Sequence, residues 1–484
     1  MTLGSSNSYS GLTTVSQGIL YVEDSWGLGG TNNGTIVNNG AALILRQSVS
    51  IGQEPLTISG SAQSGLGALR SSAGSNAWSG PITLAGATVV RVSDAADALG
   101  ISGPVTGGAN SLDFRGAGTF AFGGSAVNAY GQTLVHGGTL LLNKTVANAA
   151  IPGDLFIEGN TVVEVRNRGQ IKDSGVVTLN APALLRIVNI GGSRGEIVNA
   201  VNGTGNVELN GANLTVSPDS PSTLSGIISG TGGLTKEGTG RFILSGNNTY
   251  TGATLVNDGI LQIDGSQPGS EVTVAAGTLG GNGTVGDVTV NAGILSPGAS
   301  TGILTCSNVI LKSDAKFKVQ LNGVTAGSGY DRLNARGTVT ISNALLEVTL
   351  GFTPAVGDAF SIISNDGTDA VVGTFKGLTN GASLKAGFVT FQIKYTGLAG
   401  RDNDVVLLVT QVDPAVPLQV RPPVVNGTNV FLSWFGGVPD YIVEACSALS
   451  TNASWVPVGG PQSATNINLP LVLPNNFYRV QGGN

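Results

Sequence analysis

The chain has 484 residues, of which 75 are glycine, 19 proline, two cysteine, one methionine and one histidine. Glycine in no three-residue register excludes a collagen-like triple helix, and a hydrophobic share of 41% excludes a flexible glycine–serine linker. A formal charge of -6, with lysine and arginine scattered singly, gives no footprint for nucleic acid. Glycine costs a helix about 1 kcal/mol per residue relative to alanine, so a glycine-rich chain in which Val, Thr and Asn dominate the remainder predicts an all-β fold. Apolar runs stop well short of the roughly 20 residues that span a bilayer, so no transmembrane helix is expected.

The first residues, 1–11, have neither the basic start nor the apolar run of a secretory leader and read as the middle of a repeat. The expectation is a fragment whose natural N-terminal portion is missing. Asn7, Tyr9, Gly11, Thr13, Val15, Gly18 and Leu20 set a pattern that returns, one residue shorter, at Asn128, Tyr130, Gly131, Thr133, Val135, Gly138 and Leu140. It recurs with its original spacing at Asn248, Tyr250, Gly252, Thr254, Val256, Gly259 and Leu261. The large unit thus repeats about every 120 residues. Thr254 and Val256 stand two apart and share one face of a strand, and the glycine three residues after the valine turns the chain. Short strands joined by tight corners, without long crossovers, predict a coil of stacked turns with Val, Leu and Ile inside and Thr, Ser and Asn ladders outside. At roughly 20 residues per turn the first 300 would make about fifteen turns, a rod of roughly 70 Å.

Residues 154–196 break this pattern with a concentration of charge. Glu158, Glu164, Arg166, Asp173, Arg186 and Glu196 are the candidates if the chain is a carbohydrate-active enzyme, with a carboxylate pair as acid and base in a hydrolase or a basic residue taking a proton in a lyase. Arg194 lies in the same segment. Alternation of Glu164 and Arg166 with Val163 and Val165 places the charges on an outer strand face, where a solvated set of cross-strand ion pairs is the simpler reading. His136 is the single histidine, at a repeat position that holds Asn257 and Ser16 in the other copies, and is read as an outward corner residue. No zinc or nucleotide motif is present, and residues 402–404 lack the spaced acidic ladder of a calcium loop, so no cofactor is assigned and calcium has no motif behind it.

The stretch from Gly230 to Ile263, with LeuThrLysGluGlyThrGlyArgPheIleLeuSerGlyAsnAsnThrTyrThrGly at its centre, resembles the autotransporter-associated β-strand repeat. The resemblance continues through residues 281–286 and 295–298 and over Phe317 to Val409, with TyrAspArgLeu at 330–333 and ValGlyAspAlaPheSerIleIle at 356–363. That family comprises large secreted or surface passenger proteins built as right-handed parallel β-helices. The resemblance therefore implies an extracellular or cell-surface location and this architecture, and the outer-membrane barrel of such proteins lies outside these residues.

The expected organisation is a β-helix over 1–316, the end of the helix and its capping region over 317–412, a proline-rich linker at 413–423, and a small antiparallel β-sandwich at 424–484. Pro414, Pro417, Pro422 and Pro423 mark the linker. The last segment resembles a fibronectin type III-like appendage. Its Trp434, Tyr441 and Trp455 are candidates for stacking on sugar, although a domain of about 60 residues needs such side chains for its core. Cys306 and Cys446 fall in different domains and read as two isolated buried thiols. The function these features suggest is a structural or adhesion protein whose stalk makes multivalent contacts with polysaccharide or cell-surface glycan.

Overall fold

Segments of two to eleven residues, rich in Val, Leu, Ile and Thr, form the strands, and Gly, Asn and Ser occupy the corners between them. The computed structural model describes residues 1–189, 195–366, 369–397, 403–413, 419–421, 423–426, 429–435, 440–446, 454–470 and 477–482. No α-helix occurs among them, only a single 3-10 turn at Gln63–Gly65. Each coil contributes a strand to three faces in turn, and the strands of the coils pair in parallel with their counterparts one coil away. Thr13–Val15, Thr35–Val37 and, further on, Thr254–Val256 and Val272–Val274 belong to the first face. Ile19–Val22, Ala42–Leu45, Thr133–Val135 and Leu155–Ile157 belong to the second. Ser75–Trp78, Ala98–Ile101, Val162–Val165 and Leu184–Val188 belong to the third. The long strand Ile82–Val92 bends from the first face to the second and joins both into one 21-stranded sheet. The result is a parallel β-solenoid, as the repeats predict.

Coil length is less regular than the uniform 20 residues expected. Thr133 pairs with Leu155, Val272 with Val288 and Val309 with Val339, so coils range from about 16 to about 30 residues. Alternate side chains point inward, and Val135, Leu140, Val163, Leu185, Leu209, Leu261 and Leu295 join one continuous apolar core. Parallel stacking continues to Val372–Thr374 on the first face. On the third, Ala359–Asn365 turns antiparallel against Val405–Val412, followed by Val389–Lys394 and Ser383–Ala386. This hairpin layer closes the apolar end: Phe391 meets Phe360 edge-on at 6.2 Å, and Tyr395, just beyond its middle strand, packs 6.4 Å from Phe375, which stacks on Phe317 at 5.9 Å.

The recurrent sequence pattern has a specific polar role. Thr133 and Thr254 are buried, not outward, and each is hydrogen-bonded to the tyrosine of its own copy, Tyr130 at 3.0 Å and Tyr250 at 2.7 Å. The exposed first copy keeps the pair, Tyr9 to Thr13 at 2.9 Å. The tyrosine supplies a partner that allows a hydroxyl to enter an apolar core. Asn128 ties three coils together: its Oδ1 accepts from the Val105 amide at 3.0 Å and its Nδ2 donates to the Ala150 carbonyl at 2.9 Å. Asn128→Ala strands both buried groups and is expected to cost about 3 kcal/mol, read from the urea midpoint. A loss below about 0.5 kcal/mol would show that the asparagine is not a coil clamp.

At the C-terminal end, described strands form two small antiparallel sheets, one including Asn429–Phe435 and Asn466–Pro470, the other Ile442–Cys446 and Phe477–Gln481. Val430, Leu432, Tyr441, Val443 and Leu469 share their core. Pro414, Pro417 and Pro422 of the expected linker lie outside the described residues. Cys306 and Cys446 are both buried and free.

Candidate functional site

On the outer side of the third face, strand register places Leu141, Glu164, Arg186 and Glu208 in one column across four coils. Arg186 lies between two carboxylates, its Nη1 3.1 Å from Glu164 and its Nε 2.7 Å from Glu208, and Arg166 Nε reaches Glu164 at 2.5 Å. Burial pushes the Glu164 carboxyl upward, but the hydrogen bonds and charges of Arg166 and Arg186 together outweigh it and hold the group below its ordinary value. The Arg186 hydrogen bond also holds Glu208 down. A carboxyl kept ionised in this way accepts hydrogen bonds and cannot serve as the protonated acid of a glycosidase at neutral pH. Each pair is part-exposed and contributes under about 1 kcal/mol. The column ties adjacent coils together from outside.

The six enzyme candidates do not converge. Glu164, Arg166 and Arg186 share the column just described. Glu158 belongs to the second face, where its Oε1 lies 3.1 Å from His136 Nε2 while His136 Nδ1 lies 2.7 Å from Asp113. A neutral imidazole can donate to only one of these carboxylates and an imidazolium to both. Arg115 pairs with the same Asp113 at 2.8 Å. His136 is thus an outward residue, as its repeat position implies, with two carboxylate neighbours that the repeat does not reveal. Asp173 is exposed at a corner. Glu196 is fully buried on the first face, where its two carboxylate oxygens accept from the Gln170 and Ile171 amides at 2.9 Å each. Burial pushes it up to about 8 against the two amides, with Asp173 adding to the rise. These acids are divided among the faces of a solenoid, so no facing acid and base pair forms from them. Arg194 lies outside the described residues.

Two lysines are buried with no acidic partner at bonding distance. Lys144 Nζ donates to the carbonyls of Gly123 and Ala126 at 3.2 and 2.7 Å, and Lys236 Nζ to those of Glu237, Gly238 and Asp258 at 2.5, 2.7 and 3.2 Å. Burial lowers both to about 8. Nothing in the local sequence distinguishes them from surface lysines except, at Lys236, the inward register of Leu234–Lys236.

The aromatic candidates of the terminal sheets are not arranged as a platform. Trp434 and Tyr441 are 2% and 4% exposed, with ring centroids 5.6 Å apart in an edge contact inside the core. Small sheets need large side chains to bury enough area, and these two rings serve that packing. Trp455 keeps partial exposure beneath the Arg479 guanidinium, 4.6 Å from its ring centre. Among the described residues no cluster of three or more His, Cys, Asp or Glu could hold a metal. Asp402 lies outside them, and Asp404 accepts instead from Ser361 and the Asn365 amide. No helix among the described residues is long and apolar enough to cross a membrane.

Residues 1–22 and 234–263 match the Passenger-associated-transport-repeat family. The chain is 31% identical over 259 residues to the adhesin BmaC autotransporter of Brucella suis biovar 1 (strain 1330), which covers 53% of this chain and 6% of that protein. It is 33% identical over 197 residues to an extracellular serine protease of Serratia marcescens, covering 38% of this chain and 18% of the relative. The matched region is therefore a small part of each relative's length. Among solved structures, the Haemophilus influenzae Hap adhesin aligns at 13% identity over 82% of this chain and 64% of its own, with a TM-score of 0.25. The chain is a secreted or cell-surface β-helix protein carrying passenger-type repeats.

Proposed function

We propose that this secreted or cell-surface β-helix is an adhesive stalk that holds glycan or other surfaces by many weak contacts along its length. The observation that carries the reading is a column on the outer side of the first face, where Thr215, Thr235, Leu255, Thr273, Thr289, Ile310 and Thr340 stand in register on successive coils. Spaced by one strand separation, about 4.8 Å, these side chains offer a row of hydroxyls and methyls, interrupted by Leu255 and Ile310, without a deep pocket. Contacts on one rigid rod bind at high effective concentration, so weak individual sites sum to firm attachment. The relationship to an adhesin accords with this role.

The test is retention of the intact chain on glycan-coated surfaces beside a variant with Thr215, Thr235, Thr273 and Thr289 changed to Glu. Retention is expected to fall by more than about tenfold, because multivalent binding is lost faster than its parts. Unchanged retention would refute the stalk as the adhesive element. Retention that survives these changes and disappears on deletion of residues 415–484 would move binding to the terminal sheets.

A further inference from the structure

On the outer side of the second face, between coils 241–244 and 316–321, the stacked side chains leave a notch. Register aligns Ile243, Gln262, Gly280 and Ser296 in one column, so a glycine stands where the flanking coils carry polar side chains. No larger residue fits there, because a Cβ on Gly280 would lie 2.9 Å from the Ser296 carbonyl. With the loop around Ala299 as its wall, the notch opens into a groove of about 290 Å³. It crosses five strands, about 19 Å along the solenoid axis at one strand spacing per coil.

The lining has a definite chemical character. Arg241 stands at one end and Lys318, with Gln320 on the same strand, at the other; Gln262 and Ser296 lie between them, and no carboxylate is among the lining residues. In a chain of net charge -6, a concave surface with two cations and no acid concentrates positive potential. Arg241 is already oriented, since its Nη1 donates to Gln262 Oε1 at 2.8 Å, while Gln262 Nε2 donates to Asp264 at 2.6 Å. Lys318 is held only loosely, 3.9 Å from the half-exposed Glu347. Long and shallow, with Ile260 and Ile294 beside its polar groups, the groove suits a sugar chain, which has both hydroxyls and apolar ring faces, and its end charges suit one bearing carboxylates or sulfates.

We infer that the groove between Arg241 and Lys318 binds an acidic polysaccharide running along the solenoid axis. The glycan class rests on the adhesive reading above; the location and the sign of charge rest on the groove itself. Its contacts are distinct from the threonine column, which lies on another face.

Binding of the full chain to polygalacturonate, dextran and poly-L-glutamate can be measured by calorimetry at two salt concentrations. Polygalacturonate is expected to bind, more weakly at high salt, and Arg241→Gln with Lys318→Gln to weaken it by about tenfold or more, with the melting temperature unchanged. Ser296→Leu, which fills the groove and leaves both cations, is expected to weaken it as well. Poly-L-glutamate bound as well as polygalacturonate would make the occupant an acidic peptide and overturn the glycan assignment. Polygalacturonate affinity unchanged in both variants, or absent in the wild type while glycan surfaces are still held, overturns the groove alone. Binding in the groove by a protein that adheres to no coated surface overturns the stalk reading alone.

Discussion

Gly259→Ala is expected to destabilise the protein by roughly 3–5 kcal/mol, whereas Gly18→Ala, at the same position of the repeated pattern, should cost only about 1 kcal/mol. Both glycines, with Gly138, have left-handed backbone angles, φ of 59°, 73° and 70° for Gly259, Gly18 and Gly138. That shared strain accounts for the common part of the cost. The difference comes from neighbours. A Cβ on Gly259 would lie 2.4 and 2.5 Å from the carbonyl oxygens of Gly238 and Gly240 and 2.7 Å from Lys236 Nζ, and backbone atoms of a packed coil cannot yield cheaply. Around Gly18 no atom lies within 4 Å. Denaturant midpoints of the two variants in the same chain check this. Equal losses would mean that backbone angle alone sets the cost and that the close approach of coils does not matter.

Stability is expected to fall by several kcal/mol as pH rises from 5 to 8 and to recover toward pH 10. Glu196, pushed up to about 8, and Asp331, pushed up to about 6, bind protons more tightly in the folded state than in the unfolded chain. Burial is the main cause for both, opposed by amides that donate to them; for Asp331 these are Gly302 at 3.0 Å and Gln320 at 2.8 Å. A raised carboxyl stabilises most fully below its unfolded value, and that contribution is lost as pH climbs through the folded one, for Glu196 between about 4.5 and 8. Lys144 and Lys236, lowered to about 8, behave oppositely: their contribution is present above the ordinary lysine value of 10.5 and is lost as pH falls through about 8. The two trends meet near pH 8, where stability should be lowest. Glu164 and Glu208, held below the ordinary carboxylate value, lose their contribution only at more acidic pH, outside this window. Urea unfolding at pH 5, 6.5, 8 and 9.5 measures the profile. Glu196→Gln should flatten most of the slope between 5 and 8, and an unchanged slope in that variant would remove Glu196 as its source.

Much of the fold is legible because a solenoid repeats local rules. Inward Val135 and Val256, the turning glycines Gly138 and Gly259, and the strand spacing follow from a pattern that occurs three times. The column of Glu164, Arg186 and Glu208 is legible in principle as well, since its members are one coil apart, but a uniform coil of about 20 residues hides a local period of 22. His136 and Glu158 share that interval, which is why they meet. The six charged candidates of 154–196 were close in sequence and fell on different faces because each coil turns through all three. Trp434 and Tyr441 entered the core because a small domain needs large side chains to bury enough area.

The amino-acid sequence by itself determined that this protein is all-β, that it coils in stacked turns, and which side chains alternate inward, because those properties depend on spacing within a few residues. Tertiary structure alone decided how each coil meets the next: that Gly259 is pinned by two carbonyls and Gly18 is not, that Glu196 and Lys144 are buried, and that Gly280 leaves a groove between Arg241 and Lys318. Those outcomes depend on atoms 16 to 30 residues away, brought to one strand spacing by coils of unequal length, and no local pattern encodes that distance.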